Sequence, residues 1–214
     1  TLKKIFRELN ADLDGEYAQL KKDVQASEIV GCDETGIHVN GKKWWINVAR
    51  TPETTLYVAD ESRSHQVIQP ILGEDFAGWL VTDFWGGYNE RFYPNAKFQK
   101  CLAHLLRDVK LAVEADRGPP QNWAIQLSNL LSEAIILRKY FKNDTEHYAQ
   151  ERAAFEVRLD ELLIVDLPPQ STIAMRLKKR LQKYRHHLFN FLDVDSLPFD
   201  NNGSERDIRE MVLA

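Results

Sequence analysis

The stretch that decides the fold is Ser-Glu-Ile-Val-Gly-Cys-Asp-Glu-Thr-Gly, residues 27–36. Its apolar residues suit a buried strand that ends at Asp33, and Gly36 permits a turn into a second strand. An acid at the end of such a run places a carboxylate at the edge of a sheet. Taken alone, Asp33 is also typical of a hairpin turn, because Asp is a favoured turn residue.

The same pattern returns at residues 78–83, where the run Gly-Trp-Leu-Val-Thr ends at Asp83. Parallel strands need a helical crossover, and a short helix is predicted at residues 65–72. We therefore predict that this strand runs parallel to the first strand and brings Asp83 beside Asp33. Other strand patterns, three of them in one antiparallel series, cover residues 37–39, 44–49, 55–59 and 98–102. Residues 84–88 predict a loop that opens a short helix.

Helical periodicity covers much of the remaining chain. The first 26 residues predict one amphipathic helix, or two helices broken near Gly15, and residues 103–115 predict another helix. We predict an α/β fold with a mixed five-stranded sheet flanked by helices and an all-helical insertion before the last helix. The predicted segments are 1–26, the first part of the core at 27–117, the insertion at 118–192, and the end of the core at 193–214.

Composition is ordinary for a globular protein, with 43% hydrophobic and 28% charged residues. No apolar run reaches membrane-spanning length, which predicts a soluble cytoplasmic protein without membrane contact. Cys32 and Cys101 lie far apart and predict thiols in a reducing compartment. The net charge of −4 excludes a surface uniformly adapted to polyanions, so any nucleic-acid contact must come from local basic patches.

One such patch is predicted on the last helix of the insertion. This helix carries Lys179, Arg180 and Lys183, and no acid occurs between Ser171 and Asn190. Basic side chains on one helix face are typical of contact with a nucleic-acid phosphate backbone. A solvated basic face is the alternative interpretation.

The last segment contains Asp-Asn-Asn-Gly-Ser-Glu-Arg-Asp-Ile-Arg, residues 200–209. Ser204 is predicted to cap a helix that begins at Glu205. An acid in a first helical turn also interacts favourably with the helix dipole. Glu205 alone is therefore not diagnostic.

The order of these acids resembles the ribonuclease-H-like fold of DDE transposases and integrases. The motifs are more closely similar to the bacterial insertion-sequence transposases of the sixty-six type. The matching motifs are Cys32-Asp33-Glu34-Thr35, Val81-Thr82-Asp83 with Gly87-Tyr88-Asn89, Cys101-Leu102-Ala103-His104 with Arg107, and residues 200–209.

This resemblance implies a metal-binding catalytic triad of Asp33, Asp83 and Glu205. Carboxylate oxygens suit Mg²⁺ or Mn²⁺, and two such ions promote in-line phosphoryl displacement. The implied activity is cleavage of DNA at transposon ends and transfer of the freed end to target DNA. The implied partners are double-stranded DNA and a second copy of the chain, in a homodimer. Residues assigned to DNA contact are Asn201, Asn202, Arg206 and Arg209.

Several alternatives stay open. Cys101 and His104 sit at ligand spacing for zinc, with His186 and His187 as further ligands, although a packed strand end gives the same pattern. Trp85 suits either the core or stacking on an extruded base. The chain is expected to be a catalytic core fragment or a truncated copy. A stand-alone nuclease of the same fold and a catalytically inactive DNA-binding or assembly fragment are the competing functions.

Overall fold

The computed structural model describes residues 2–142, 145–168 and 172–213. Within these ranges the chain forms a five-stranded mixed sheet and seven α-helices, which confirms the predicted ribonuclease-H-like α/β fold. None of the described helices is long and apolar enough to span a membrane. The chain divides into two compact units. Unit 1 comprises Thr1–Phe98 and Asn201–Ala214, and unit 2 comprises Gln99–Asp200.

The sheet contains five strands in the order β3-β2-β1-β4-β5. Their bounds are β1 (Ile29–Val39), β2 (Lys42–Arg50), β3 (Thr55–Asp60), β4 (Trp79–Thr82) and β5 (Lys97–Lys100), and the boundary between the two units falls within β5. Strand β1 pairs antiparallel with β2 and parallel with β4, whose Thr82 lies opposite Cys32. The predicted parallel pairing of the two acid-terminated strands is therefore confirmed.

The predicted turn at Gly36 is wrong. Strand β1 continues through this glycine to Val39, because Thr35, Ile37 and Val39 favour extended backbone and pair with β2. The chain reverses at Asn40 and Gly41, between the predicted strand patterns at residues 37–39 and 44–49, and the φ angles of these two residues are 51° and 79°. Positive φ at both positions is typical of the tight turns that join antiparallel strands.

Two helices pack beside the sheet in unit 1. Helix α1 (Leu2–Ala26) is continuous through Gly15, and α2 (His65–Leu72) has the predicted bounds. The core between helices and sheet is formed by buried apolar side chains, among them Val24, Val30, Ile68, Leu72 and Leu80. This core covers the face of β1 that carries Val30 and Cys32.

The short helix predicted after Asp83 is also wrong, because the segment between β4 and β5 consists of turns. The side chain of Asn89 accepts a hydrogen bond from the Arg91 N–H (2.9 Å) and donates one to the Gly86 carbonyl. Local side-chain bonds of this kind compete with helical hydrogen bonds.

Helix α7 (Asn202–Leu213) returns the chain to unit 1. It begins three residues before Glu205, so the prediction that Ser204 caps it is wrong. Ser204 lies inside the first turn and is buried, whereas a capping serine precedes the helix.

All of the regular secondary structure in the described residues of unit 2 after β5 is helical. Unit 2 contains α3 (Leu102–Ala115), α4 (Pro119–Tyr140), α5 (Thr145–Ile164) and α6 (Ile173–Tyr184), followed by short 3-10 turns at Arg185–His187 and Asn190–Leu192. The indole of Trp123 is buried and donates to the Leu162 carbonyl (2.8 Å), which joins α4 to α5. Asp116 accepts from the Ala174 N–H (2.8 Å) and so caps α6.

Candidate metal centre

Asp33 and Asp83 lie at one edge of the sheet. Strand β4 pairs with β1 only as far as Cys32 and Thr82, and each acid is the next residue of its strand. Because the parallel pairing ends at these two partners, Asp33 and Asp83 lie next to each other where β4 ends, while β1 continues to Val39. The sequence prediction for these two positions rests on this same pairing.

Helix α7 packs closely on β1 near Asp33. The Asn201 amide donates to the Cys32 carbonyl (2.8 Å), and Asn201 is only 3% exposed. A Cβ at Gly31 would lie 2.6 Å from both Asn201 Oδ1 and Ser204 Oγ. The missing side chain of Gly31 therefore lets the first turn of α7, which carries Glu205, reach the strand that carries Asp33.

Asp207 fixes the same helix to strands β2 and β3. Its Oδ2 accepts from Thr55 Oγ1 (2.7 Å) and forms an ion pair with Arg50 Nε (2.9 Å). The hydroxyl of Tyr57 donates to the Asp207 carbonyl (3.1 Å). Sequence analysis missed this role, because the strand residues that contact Asp207 lie about 150 positions earlier in the chain.

The carboxyl group of Asp33 has a strongly perturbed pKa of about 7, against an ordinary value of 3.8. Burial is the largest cause, and the charges of Glu34, Asp83 and Glu205 raise the pKa further. The hydrogen bond from the Glu34 N–H (3.0 Å) acts in the opposite direction. Like charges thus converge on Asp33 from β1, from the end of β4 and from α7.

The loop after β4 orients Asp83. Its Oδ1 accepts a hydrogen bond from the backbone N–H of Trp85 (2.8 Å), and the Thr82 hydroxyl donates to the Asp83 carbonyl (3.0 Å). An aspartate that accepts from the N–H two residues later forms a compact local turn. The carboxylate is therefore held by the backbone of its own loop.

Glu34 belongs to a separate network on the opposite face of β1. Its side chain is 1% exposed, and Oε1 accepts from Arg63 Nε (3.0 Å) and Nη2 (2.6 Å). The Tyr88 hydroxyl lies 3.2 Å from Oε2. Burial raises the pKa of Glu34, and the Arg63 hydrogen bonds partly offset this. The alternation of side chains along a strand predicts that Glu34 points away from Asp33. No sequence pattern predicts that Glu34 contacts Arg63.

The model of the Transposase IS66 family matches residues 1–214, the whole chain. The chain belongs to the IS66 family of transposases. The resemblance seen in the motifs is therefore confirmed, and no curated protein matched the chain in a separate search. Membership in this DDE family makes the chain a member of a class of DNA-cleaving and DNA-transferring enzymes that use divalent metal.

The residues at the edge of the sheet fit the divalent metal that IS66 transposases use. Asp33, Asp83 and Glu205 offer three carboxylates, and oxygen ligands of this kind are those that hard cations such as Mg²⁺ prefer. Burial raises the pKa of Asp33 most, and repulsion by the charges of Asp83 and Glu205 raises it further. A divalent cation between them would relieve this repulsion.

Other residues of α7 lie outside this cluster. Arg206, Arg209 and Asn202 are exposed, whereas Asn201 is buried in its contact with β1. Trp85 is partly buried against the core, and its ring lies edge-on to Tyr88 at 5.2 Å.

The remaining predicted residues lie in unit 2. Lys179 and Lys183 are exposed on α6, while Arg180 forms an ion pair with Asp108 (2.5 Å). Cys101 is buried immediately before α3, and His104 lies in its first turn. Zinc binding by Cys101 and His104 stays a prediction.

Proposed function

We propose that unit 1 is a transposase catalytic core that cleaves DNA at transposon ends and transfers the freed end to target DNA. Asp33, Asp83 and Glu205 are its catalytic residues. In this proposal residues 118–192 are an all-helical insertion into the core, and the active complex is a homodimer on double-stranded DNA. The observation that carries the proposal is the convergence of the Asp83 and Glu205 charges on the buried carboxyl of Asp33.

Each carboxylate has a defined role in this proposal. Asp33 on the central strand, Asp83 after β4 and Glu205 on α7 would together hold two Mg²⁺ or Mn²⁺ ions. When bound, such a pair of ions stabilises the attacking and leaving oxygens of an in-line phosphoryl displacement. The Trp85 N–H keeps Asp83 directed to the site, and the contacts of Asn201 and Asp207 keep Glu205 there.

DNA contact is assigned to exposed residues near this cluster. Arg206 and Arg209 on α7 would neutralise phosphates beside the scissile bond, and Asn202 would donate to the same backbone. Asn201 is given a positioning role, because its amide already donates to the Cys32 carbonyl. Lys179 and Lys183 on α6 would also contact DNA phosphates.

Strand cleavage tests the proposal directly. The chain is incubated with Mn²⁺ and DNA that carries the ends of its own element, and nicking is followed on a denaturing gel. We expect Asp83→Asn to lower the nicking rate by at least about 100-fold, as for other losses of transition-state charge stabilisation. Asp75→Asn is the matched control, because Asp75 is an exposed acid of unit 1.

Three outcomes would contradict the proposal. Equal nicking by the wild type and Asp83→Asn would remove Asp83 from the chemistry. DNA binding with no nicking by the wild type would favour the inactive DNA-binding fragment. Nicking of DNA without transposon ends at the same rate would favour the stand-alone nuclease.

A further inference from the structure

The β1–β2 hairpin extends past the carboxylate cluster as an arm. Strand β4 stops pairing with β1 at Cys32, and β3 pairs with β2 only from Trp45 onward. Residues 36–45, here called the hairpin arm, therefore end in a two-stranded ribbon that carries no third strand. Val39 lies six residues beyond Asp33, which is roughly 20 Å at about 3.4 Å per residue.

All charged residues of the hairpin arm are basic. No acid occurs in residues 35–52, although the whole chain has a net charge of −4. Lys42, Lys43 and His38 are exposed on the arm, and Lys42 has no ion-pair partner among the described residues. An exposed ribbon whose charged side chains are all basic complements a polyanion.

A ladder of cations and aromatic rings connects the arm to the loop of Asp83. Lys43 Nζ lies 4.4 Å from the ring centre of Trp45, and Arg63 Cζ lies 4.7 Å from the same ring. Arg63 Cζ also lies 5.0 Å from the ring centre of Trp85, whose N–H binds Asp83. Cation–π contacts of this kind favour a fixed arrangement of the side chains.

Gly36 makes room for the ladder at the base of the arm. It faces the same side of the ribbon as Trp45, its partner in the register. A Cβ at Gly36 would lie 3.2 Å from Lys43 Cε, which is tighter than ordinary contact. The absence of a side chain here lets Lys43 and Trp45 lie across β1, so the ammonium group is held on the ribbon surface.

We propose that the hairpin arm binds the phosphate backbone of duplex DNA, with Lys42 and Lys43 as the phosphate contacts. This inference rests on the proposed function, because the arm projects from the edge of the sheet where the carboxylates would act. The duplex runs along the arm, and the ladder fixes the arm relative to Asp83. The arm therefore sets where along the DNA the cut falls.

The test is the salt dependence of DNA binding, measured by fluorescence anisotropy with a labelled duplex in EDTA. Neutralising one phosphate contributes about 0.9 to the slope of log K against log salt. We expect Lys42→Ala with Lys43→Ala to lower this slope by about 1.8. The matched control is Lys21→Ala with Lys22→Ala, an equal loss of charge on α1, which we expect to leave the slope unchanged.

The experiments test the hairpin proposal and the proposed catalytic function independently. The hairpin proposal would be overturned if the Lys42/Lys43 variant kept the wild-type slope. It would also be overturned if the Lys21/Lys22 control lowered the slope by as much as the Lys42/Lys43 variant. Lys42→Arg with Lys43→Arg should keep the wild-type slope, because it keeps the charge. Circular dichroism melting verifies that each variant is folded. DNA binding in EDTA does not depend on metal. Equal nicking by Asp83→Asn and the wild type would therefore leave the measured salt slopes valid.

Discussion

At the scale of single residues, Asp33 and Glu34 show how strand alternation separates two neighbouring acids. Asp33 is partly buried, accepts a hydrogen bond from the Glu34 N–H and faces the charges of other carboxylates, and its pKa rises to about 7, mainly because of burial. Glu34 points the other way and binds Arg63, which stands 29 residues later. Asp33 is therefore suited to binding a cation, whereas Glu34 is already paired with the Arg63 guanidinium.

The raised pKa of Asp33 predicts how stability depends on pH in the absence of metal. Below pH 3.8 the group is protonated in both the folded and the unfolded chain. As pH rises toward 7 only the unfolded chain loses this proton, so the free energy of unfolding falls by up to about 1.4 kcal/mol per pH unit. We expect Asp33→Asn to remove this contribution.

Urea unfolding at several pH values between 4 and 8, without divalent metal, measures the effect. Asp75→Asn serves as the control and should keep the wild-type pH dependence. The assignment would be wrong if Asp33→Asn lost stability with pH as steeply as the wild type.

At the scale of elements, the packing of α7 on β1 depends on Gly31. A Cβ there would lie 2.6 Å from Asn201 Oδ1, just before α7, and from Ser204 Oγ in its first turn, so Gly31→Ala must displace these side chains or the elements that carry them. We expect the free energy of unfolding to fall by about 1–3 kcal/mol, as for other overpacked sites. Chemical denaturation measures this change.

Gly15→Ala is the matched control. Gly15 lies inside α1, and a Cβ there has no heavy atom within 4 Å. Because alanine favours a helix over glycine, this substitution should stabilise the chain by about 1 kcal/mol. A free energy of unfolding that is unchanged or raised in Gly31→Ala would show that α7 does not depend on the space at Gly31.

Sequence patterns predict the elements well where a local signal decides them. The bounds of α2 follow from the Ser64 cap and Gly73, and the pairing of β1 with β4 follows from two apolar runs separated by a helix. The failures at Gly36 and Ser204 have a common cause. Both residues are small because another element packs against them, and in the sequence a small residue of this kind is indistinguishable from a turn or cap signal.

The candidate site is predictable to a similar extent. The order of Asp33, Asp83 and Glu205 along the chain, together with the motifs around them, is sufficient to propose them as one cluster. The contacts of Asp207 and Arg63 are not predictable, because they join residues far apart in sequence and leave no periodic pattern.

At the scale of the whole molecule, charge is divided into local patches. The chain carries 28 basic and 32 acidic residues, so DNA must be bound where acids are locally absent or already paired. On α6 the structure separates two kinds of basic residue. Lys179 and Lys183 are exposed, whereas Arg180 is paired with Asp108.

This difference predicts unequal contributions to DNA binding. Lys179→Ala with Lys183→Ala should lower the salt slope of binding by up to about 1.8, from two phosphate contacts. Arg180→Ala should lower it much less, since Asp108 already neutralises this charge. Anisotropy titrations at several salt concentrations measure both slopes, and an unchanged slope in the lysine variant would remove α6 from the interface.

The hydrogen bond between Asn201 and Cys32 joins residues 169 positions apart. A growing chain emerges from the ribosome with its N-terminal part first. Strands β1 and β4 are therefore made long before α7, and loop closure over such a distance is slow. A nascent chain thus holds Asp33 and Asp83 without Glu205, and cannot assemble the carboxylate cluster until α7 has also been translated.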